Sequence, residues 1–319
     1  MLKKTYTRRQ ALRDACGFVA AGALLSSRIL PAQSMLTPGE VILTDDPARG
    51  DYGRFDLNNF GPPTQRKVGA EFQFPKDVDV PLGYGIDISH HTKEVPWARL
   101  ASAQVNFVYM KASQSHNGRD GKFVEFWSAA NASPLPHGAY HFLTAGIPGR
   151  DQALYFNARL AEVGGIRSGN LQPVVDLEWD QYGPYFKRML LGHTSSGDPI
   201  YKDYWEDVPK DAIIATVNDF VNALRSAVGS PAVKPIIYTN RSWWDTYIPP
   251  GTVFQNCSIW ISDYRKSSYV NGSPRSVKQH EYYLWQFTDK ATISVGGEVH
   301  GPYDTNKLLF GGMNHITIA

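Results

Sequence analysis

Cysteine is nearly absent, with only Cys16 and Cys257 in 319 residues. Cys16 lies in an apolar stretch near the N-terminus, and once that stretch is removed no intramolecular disulfide can form. This excludes the small bridge-held secreted scaffolds and leaves stability to a sizeable core. A charge excess is also missing, the formal net charge being +2. Nucleic acid is therefore not an expected partner, since its recognition rests on a basic stripe or patch. No apolar run reaches the roughly 20 residues that a spanning helix needs. The chain has no glycine-rich phosphate loop, no G-x-S-x-G elbow and no dinucleotide fingerprint. His90 and His91 are adjacent and so point to opposite faces of an extended chain. No helical His-x-x-x-His occurs, so no metal and no cofactor is expected.

What is present is a globular composition, 42% hydrophobic and 19% charged, enough for one large domain with extras. Residues 1–33 read as an export signal. Arg8-Arg9 with the following Leu12 supplies a twin arginine, and Ala15 to Ser27 a short apolar segment. The expectation is a twin-arginine-exported protein, periplasmic or extracellular, with no stable membrane insertion after signal removal. Residues 34–82, rich in Pro, Gly, Asp and Asn, read as a linker or surface extension. Cys257, flanked by Asn256 and Ser258, reads as a small buried residue and not as a nucleophile.

From residue 83 to about 312 short apolar runs alternate with helical patterns, the mark of strand–helix units around a parallel sheet. Predicted strands are Tyr84 to Ser89, Asn106 to Lys111, Gly138 to Phe142, the run from Leu171 that ends in Asp176-Leu177-Glu178, and Pro235 to Thr239. Helices are expected around 97–103, 123–132 and 150–163. A further helix carries Ile213, Ile214, Val217, Val221, Leu224 and Val228 at helical spacing. Ser258 to Ser262, Tyr282 to Phe287 and the neighbourhood of Tyr303 to Asn306 follow as strands with little room for helices. The fold class is thus α/β, a modified TIM-like (β/α)5(β)3 barrel with functional groups at the carboxyl ends of its strands.

Acids cluster at those ends. Asp176 and Glu178 are two apart on an extended chain and share one face, about 6.6–7 Å apart along the backbone. Like charges so close raise one pKa, which suits a proton donor at neutral pH. Asp87 closes the first strand and Asp304 sits in the last, so all four can meet at one mouth. Asp87 and Asp304 equally suit turn-capping roles. Tyr140, Tyr238, Trp260 and Trp285 are candidates to line a sugar cleft, or else to fill the barrel.

Asp87-Ile-Ser89, Gly138-Ala-Tyr-His-Phe142, Asp176-Leu-Glu178, Ile237-Tyr-Thr239, Trp260-Ile-Ser262 with Tyr264, and Trp285-Gln-Phe287 followed by Asp304-Thr-Asn306 form an ordered series. Over residues 83 to 310 this series resembles glycoside hydrolase family 25, the lysozymes of the Chalaropsis and Cellosyl type. The resemblance implies a flattened barrel and N-acetylmuramidase activity on peptidoglycan glycan strands. It implies Glu178 as general acid/base and Asp176 as the group assisting the substrate's own 2-acetamido. Asp87 and Asp304 would shape and polarise the site, and Tyr140, Tyr238, Trp260, Asp263, Trp285 and Gln286 would hold substrate. The protein is expected to be a monomer. The insertion over 179–209 exceeds compact members and is expected to roof the cleft or narrow substrate choice. The alternatives are a glycosidase acting on another N-acetylated glycan and a non-catalytic glycan-binding barrel.

Overall fold

A computed structural model describes residues 39–44, 65–68, 72–75, 83–265, 268, 272–277, 280, 282–309 and 312–319. The twin-arginine segment, Cys16 and most of 34–82 lie outside the described residues.

In chain order the strands and helices are β1 (Val41–Leu43), β2 (Gln65–Val68), β3 (Phe72–Pro75), β4 (Tyr84–Ile88), α1 (Trp97–Leu100), β5 (Val105–Gln114), β6 (Gly118–Asp120), α2 (Phe123–Asn131), β7 (His137–Phe142), α3 (Gly149–Glu162) and β8 (Val174–Asp176). They continue with β9 (Leu190–His193), β10 (Pro199–Tyr201), α4 (Lys210–Val228), β11 (Ile236–Asn240), α5 (Arg241–Tyr247), β12 (Ser258–Ser262), β13 (Tyr282–Val295) and β14 (Glu298–Leu308).

Eight strands close a barrel in the order β4-β5-β7-β8-β11-β12-β13-β14 and back to β4. Seven of the strands run parallel, from β4 round to β13. Only β14 is antiparallel to both neighbours. Helices α1 to α5 follow the first five barrel strands, which is the expected (β/α)5(β)3 plan. Parallel strands covered on both faces need apolar residues on both, so each reads as a continuous run.

Alternation divides each run between two cores. Phe107, Tyr109, Val174, Ile236, Trp260 and Leu284 point into the barrel and pack together with Leu171 and Ile316. Val108, Met110, Val175, Ile237, Ile259 and Ile261 point outward to the helices. Gly85 is dictated by the inner packing, since a Cβ there would lie 2.4 Å from the Phe107 ring. On α4, Ile213, Val217, Phe220, Val221 and Leu224 form the buried stripe. At about 1.5–3 kcal/mol each, these side chains fix the helix on the barrel. Gly229, with φ +70°, ends it by the left-handed cap that glycine takes without steric cost.

Three pieces of the stretch read as a linker are strands. β1 pairs in parallel with β6, and β3 pairs with β13 and with β2. The first is also fastened through side chains. Glu40 accepts a hydrogen bond from the Tyr155 hydroxyl at 2.6 Å and another from the Arg159 guanidinium, both on α3. The insertion adds the β9–β10 ribbon, whose Leu190, Leu191 and Ile200 are exposed.

Candidate active site

Asp87, Asp176, Glu178 and Asp304 all line one cavity of about 460 Å³ at the carboxyl ends of the parallel strands. Asp87 and Asp176 occupy inward positions on β4 and β8. Strand β8 ends at Asp176, two residues short of the predicted end at Glu178. Pairing nevertheless continues through the Leu177 N–H, which donates to the Tyr238 carbonyl at 2.9 Å. Leu177 therefore turns outward into the core and Glu178 returns to the Asp176 face. Asp304 lies directly across the β4–β14 pair from Asp87.

Asp87 is held from two sides. Its Oδ2 accepts from Gln286 Nε2 at 2.9 Å and from Asn306 Nδ2 at 2.7 Å. Each amide is oriented in turn. Gln286 Oε1 accepts from the Tyr238 hydroxyl at 2.7 Å and from the Tyr264 hydroxyl. Asn306 Oδ1 accepts from the Trp260 indole N–H at 2.8 Å. Burial nonetheless outweighs these bonds and pushes the Asp87 pKa up to about 6.

The pair at the end of β8 is shifted further. Burial raises Asp176 to about 8, and Asp87 adds to this, while Lys111 and a hydrogen bond from Glu178 pull it back. Burial first, then the field of Asp176, takes Glu178 well above the ordinary glutamate value. Asp176 is among the causes that raise Glu178, whereas Glu178 lowers Asp176. With one proton between them, Glu178 carries it and donates to an anionic Asp176.

Lys111 is a site residue that the sequence reading missed. It lines the same cavity from an inward position of β5, two residues beyond Tyr109. Its ammonium is buried, donates to Gln114 Oε1 at 2.9 Å and lies 5.0 Å from the Phe142 ring centre. Burial lowers its pKa, against the fields of Asp120, Asp176, Glu178 and Asp180. A signal was present in the sequence: a lone cation at the inward parity of an otherwise apolar run.

Tyr140, Tyr238, Trp260, Asp263 and Gln286 line the cavity as expected. Trp285 does not. Next to the inward Gln286, it must face the other way, and it packs in the outer core with its indole N–H on the Asp263 carbonyl at 3.0 Å. Asp263 lines the cavity chiefly as an anchor, accepting from Arg265 at 2.8 and 2.7 Å, from Ser268 at 2.6 Å and from the Arg275 N–H at 2.7 Å. Burial alone would raise its pKa, and these bonds reverse the sign and hold it low.

The insertion roofs nothing, for no residue of 179–209 lines the cavity. It braces the site from behind. The buried Trp205 donates its indole N–H to the Glu178 carbonyl at 2.8 Å. Asp203 receives the Asp180 N–H at 3.0 Å and the Tyr247 hydroxyl at 2.5 Å. His90 is bound to Asp120, Nδ1 to Oδ2 at 2.6 Å. Among the described residues no group of three or more His, Cys, Asp or Glu side chains is arranged to hold a metal ion.

The architecture and the sequence both have relatives. The chain is 26% identical over 308 residues to lysozyme M1 of Streptomyces globisporus, covering 94% of this chain and 91% of the relative. It is 25% identical over 238 residues to the N,O-diacetylmuramidase of Chalaropsis sp, covering 72% and 99%. A bacterial lysozyme from Streptomyces coelicolor superposes with a TM-score of 0.57 at 24% identity, over 75% of this chain and 96% of the other. A family 25 glycosyl hydrolase from Bacillus anthracis gives 0.56 at 18% identity, over 79% and 100%. At these identities the two structures establish the shared fold. The sequence profile of glycosyl hydrolases family 25 matches residues 86–295, a span that holds the closed barrel up to β13 and three of the four acids. The chain belongs to glycosyl hydrolases family 25.

Proposed function

We propose that this protein is a peptidoglycan hydrolase, an N-acetylmuramidase that cleaves the β-1,4 bond between N-acetylmuramic acid and N-acetylglucosamine. The observation that carries the reading is the Asp176–Glu178 pair on one face of a single chain segment, opening on a cavity that Asp87 and Asp304 also line. Glu178 gives its proton to the glycosidic oxygen as the leaving sugar departs. The carbonyl oxygen of the substrate's 2-acetamido group attacks the anomeric carbon, and anionic Asp176 accepts a hydrogen bond from the acetamido N–H as positive charge develops there. Water then opens the cyclic intermediate, losing its proton to Glu178, and configuration is retained. Substrate assistance fits acids that lie side by side on one chain segment, not facing each other across the sugar as a conventional retaining pair does. Asp87, immobilised by Gln286 and Asn306, and Asp304 polarise the same space.

The protein acts after export, directed by the twin-arginine segment. Among the described residues no helix is long and apolar enough to cross a membrane. The test is digestion of purified peptidoglycan, followed by borohydride reduction and mass spectrometry of the products. New reducing ends on N-acetylmuramic acid are expected, and Glu178→Gln is expected to lower their release by about 10²–10⁴-fold. Reducing ends on N-acetylglucosamine, or near-native release by the variant, would overturn the assignment.

A further inference from the structure

The catalytic cavity is not uniformly acidic. Arg241 and Arg275 line it as well. Arg241 opens α5, directly after the strand that carries Tyr238. Its Nε bonds Asp245 at 2.7 Å and its Nη1 bonds the Ser276 carbonyl at 3.1 Å, which fastens it to the residue next to Arg275. Arg275 is placed by its backbone, whose N–H donates to Asp263 Oδ2. Its guanidinium stays 4.0 Å from that oxygen, beyond hydrogen-bond range, and 45% of the side chain is exposed. Arg265 and Ser268 already saturate the Asp263 carboxylate. One anion is thus shared by two guanidiniums, and among the described residues the Arg275 guanidinium has no hydrogen-bond partner.

A guanidinium fork matches a carboxylate, and a neutral glycan offers none. Muramic acid does, because its 3-O-lactyl group ends either in a free carboxylate or in a peptide that bears carboxylates. We infer that Arg241 and Arg275 form a carboxylate subsite that receives the anionic substituent of the muramic-acid residue. Such a substituent is repelled by Asp87, Asp176 and Asp304, so a cationic patch within the same cavity sets which way the sugar lies as well as whether it binds. The inference rests on the muramidase reading.

The experiment compares soluble glycan strands bearing intact stem peptides, strands stripped by an amidase so that the lactyl carboxylate is free, and both after conversion of their carboxylates to amides. The readout is the ratio of kcat/KM on charged strands to that on amide-capped ones. In the wild type this ratio falls with added salt. In the double variant Arg241→Gln/Arg275→Gln it falls by about 5–10-fold, chiefly through KM, as loss of a partly exposed charge contact predicts. Arg275→Gln alone, at an exposed side chain, moves it in the same direction without risk to folding. A drop confined to stem-bearing strands identifies the peptide carboxylate, and one confined to stripped strands the lactyl carboxylate. A ratio equal to wild type on both, or an equal loss on capped strands, overturns the subsite. If the wild type releases no muramic-acid ends at all, the muramidase reading fails separately. Calorimetric binding of the same strands to Glu178→Gln, with and without the two arginines, still reads the subsite in that case.

Discussion

Replacing Lys111 by Met is the sharpest test of how this site divides its charge. The side chain keeps its length and apolar stem while the ammonium in the cavity of the acids is lost. That ammonium is buried, held by Gln114 at 2.9 Å, and its field lowers the pKa of both Asp176 and Glu178. An opposite charge at close range is worth about 1–3 pK units. Removing a cation disfavours the anionic forms, so both pKa values move up. Asp176 starts at about 8. A rise of one unit, the low end of that range, cuts its anionic fraction at pH 7 roughly tenfold, from about one in eleven to about one in a hundred. If ionised Asp176 is required, kcat/KM at pH 7 falls by about the same factor, and the acidic limb of the profile moves at least about one unit toward alkali. Release of reducing ends from soluble glycan strands, followed from acid to alkaline pH, reads both quantities. Lys111→Arg should keep the wild-type limb. A Met variant whose profile drops evenly with the limb unmoved would refute the reasoning, because Lys111 would then act through packing alone.

Two further perturbations address the supports of the site. Trp205→Phe keeps an aromatic ring against Trp243 but removes the 2.8 Å bond to the Glu178 carbonyl, so unfolding stability should fall by about 1–2 kcal/mol, with kcat reduced more than KM is raised; unchanged kcat would deny the insertion a positioning role. For Asp87 the folded pKa of about 6 stands above the ordinary 3.8, so its contribution to stability is full below about 3.8 and is lost as pH rises through 6. Asp87→Asn abolishes that dependence. Urea unfolding should therefore show the variant gaining on the wild type by roughly 2 kcal/mol between pH 4 and pH 8, and an equal difference at both pH values would contradict the burial of the carboxyl.

Much of this was legible in the sequence, and the physical reasons are specific. Strands buried on both faces announce themselves as unbroken apolar runs, which is why Ser258 to Ser262 was bounded to the residue. Helix α4 was legible because its stripe repeats at 3.6 residues. Helix α5 was not, since Arg241–Tyr247 completes barely two turns, too few for the i, i+1, i+4 spacing of Trp243, Trp244 and Tyr247 to repeat. Its N-cap was nonetheless written in the chain: the Asn240 side chain accepts from the Trp243 N–H at 2.8 Å. The β9–β10 ribbon gave no alternation because neither face is buried, and β1 and β3 owe their form to partners far along the chain.

In the site itself, parity decided what residue type could not. As an aromatic residue Trp285 suits the cleft or the packing equally, and the inward neighbour Gln286 forces it outward into the packing. Lys111 was passed over because it is not an acid, although its inward register on β5 matches that of Asp87 on β4 and Asp176 on β8. On a closed barrel every second residue of each strand points into one confined space, so a charge at an inward position cannot escape to water by rotating its side chain. It must be neutralised by its neighbours or shift its pKa. Asp87 does both, accepting two amide N–H groups and still titrating near 6. Asp176 and Glu178 are instead both raised by burial, against the field of the buried Lys111 ammonium. The same confinement that destabilises the ionised apo-protein creates an acid able to hold its proton at neutral pH. Substitutions that relieve the strain of these charges should therefore stabilise the fold and weaken the chemistry together.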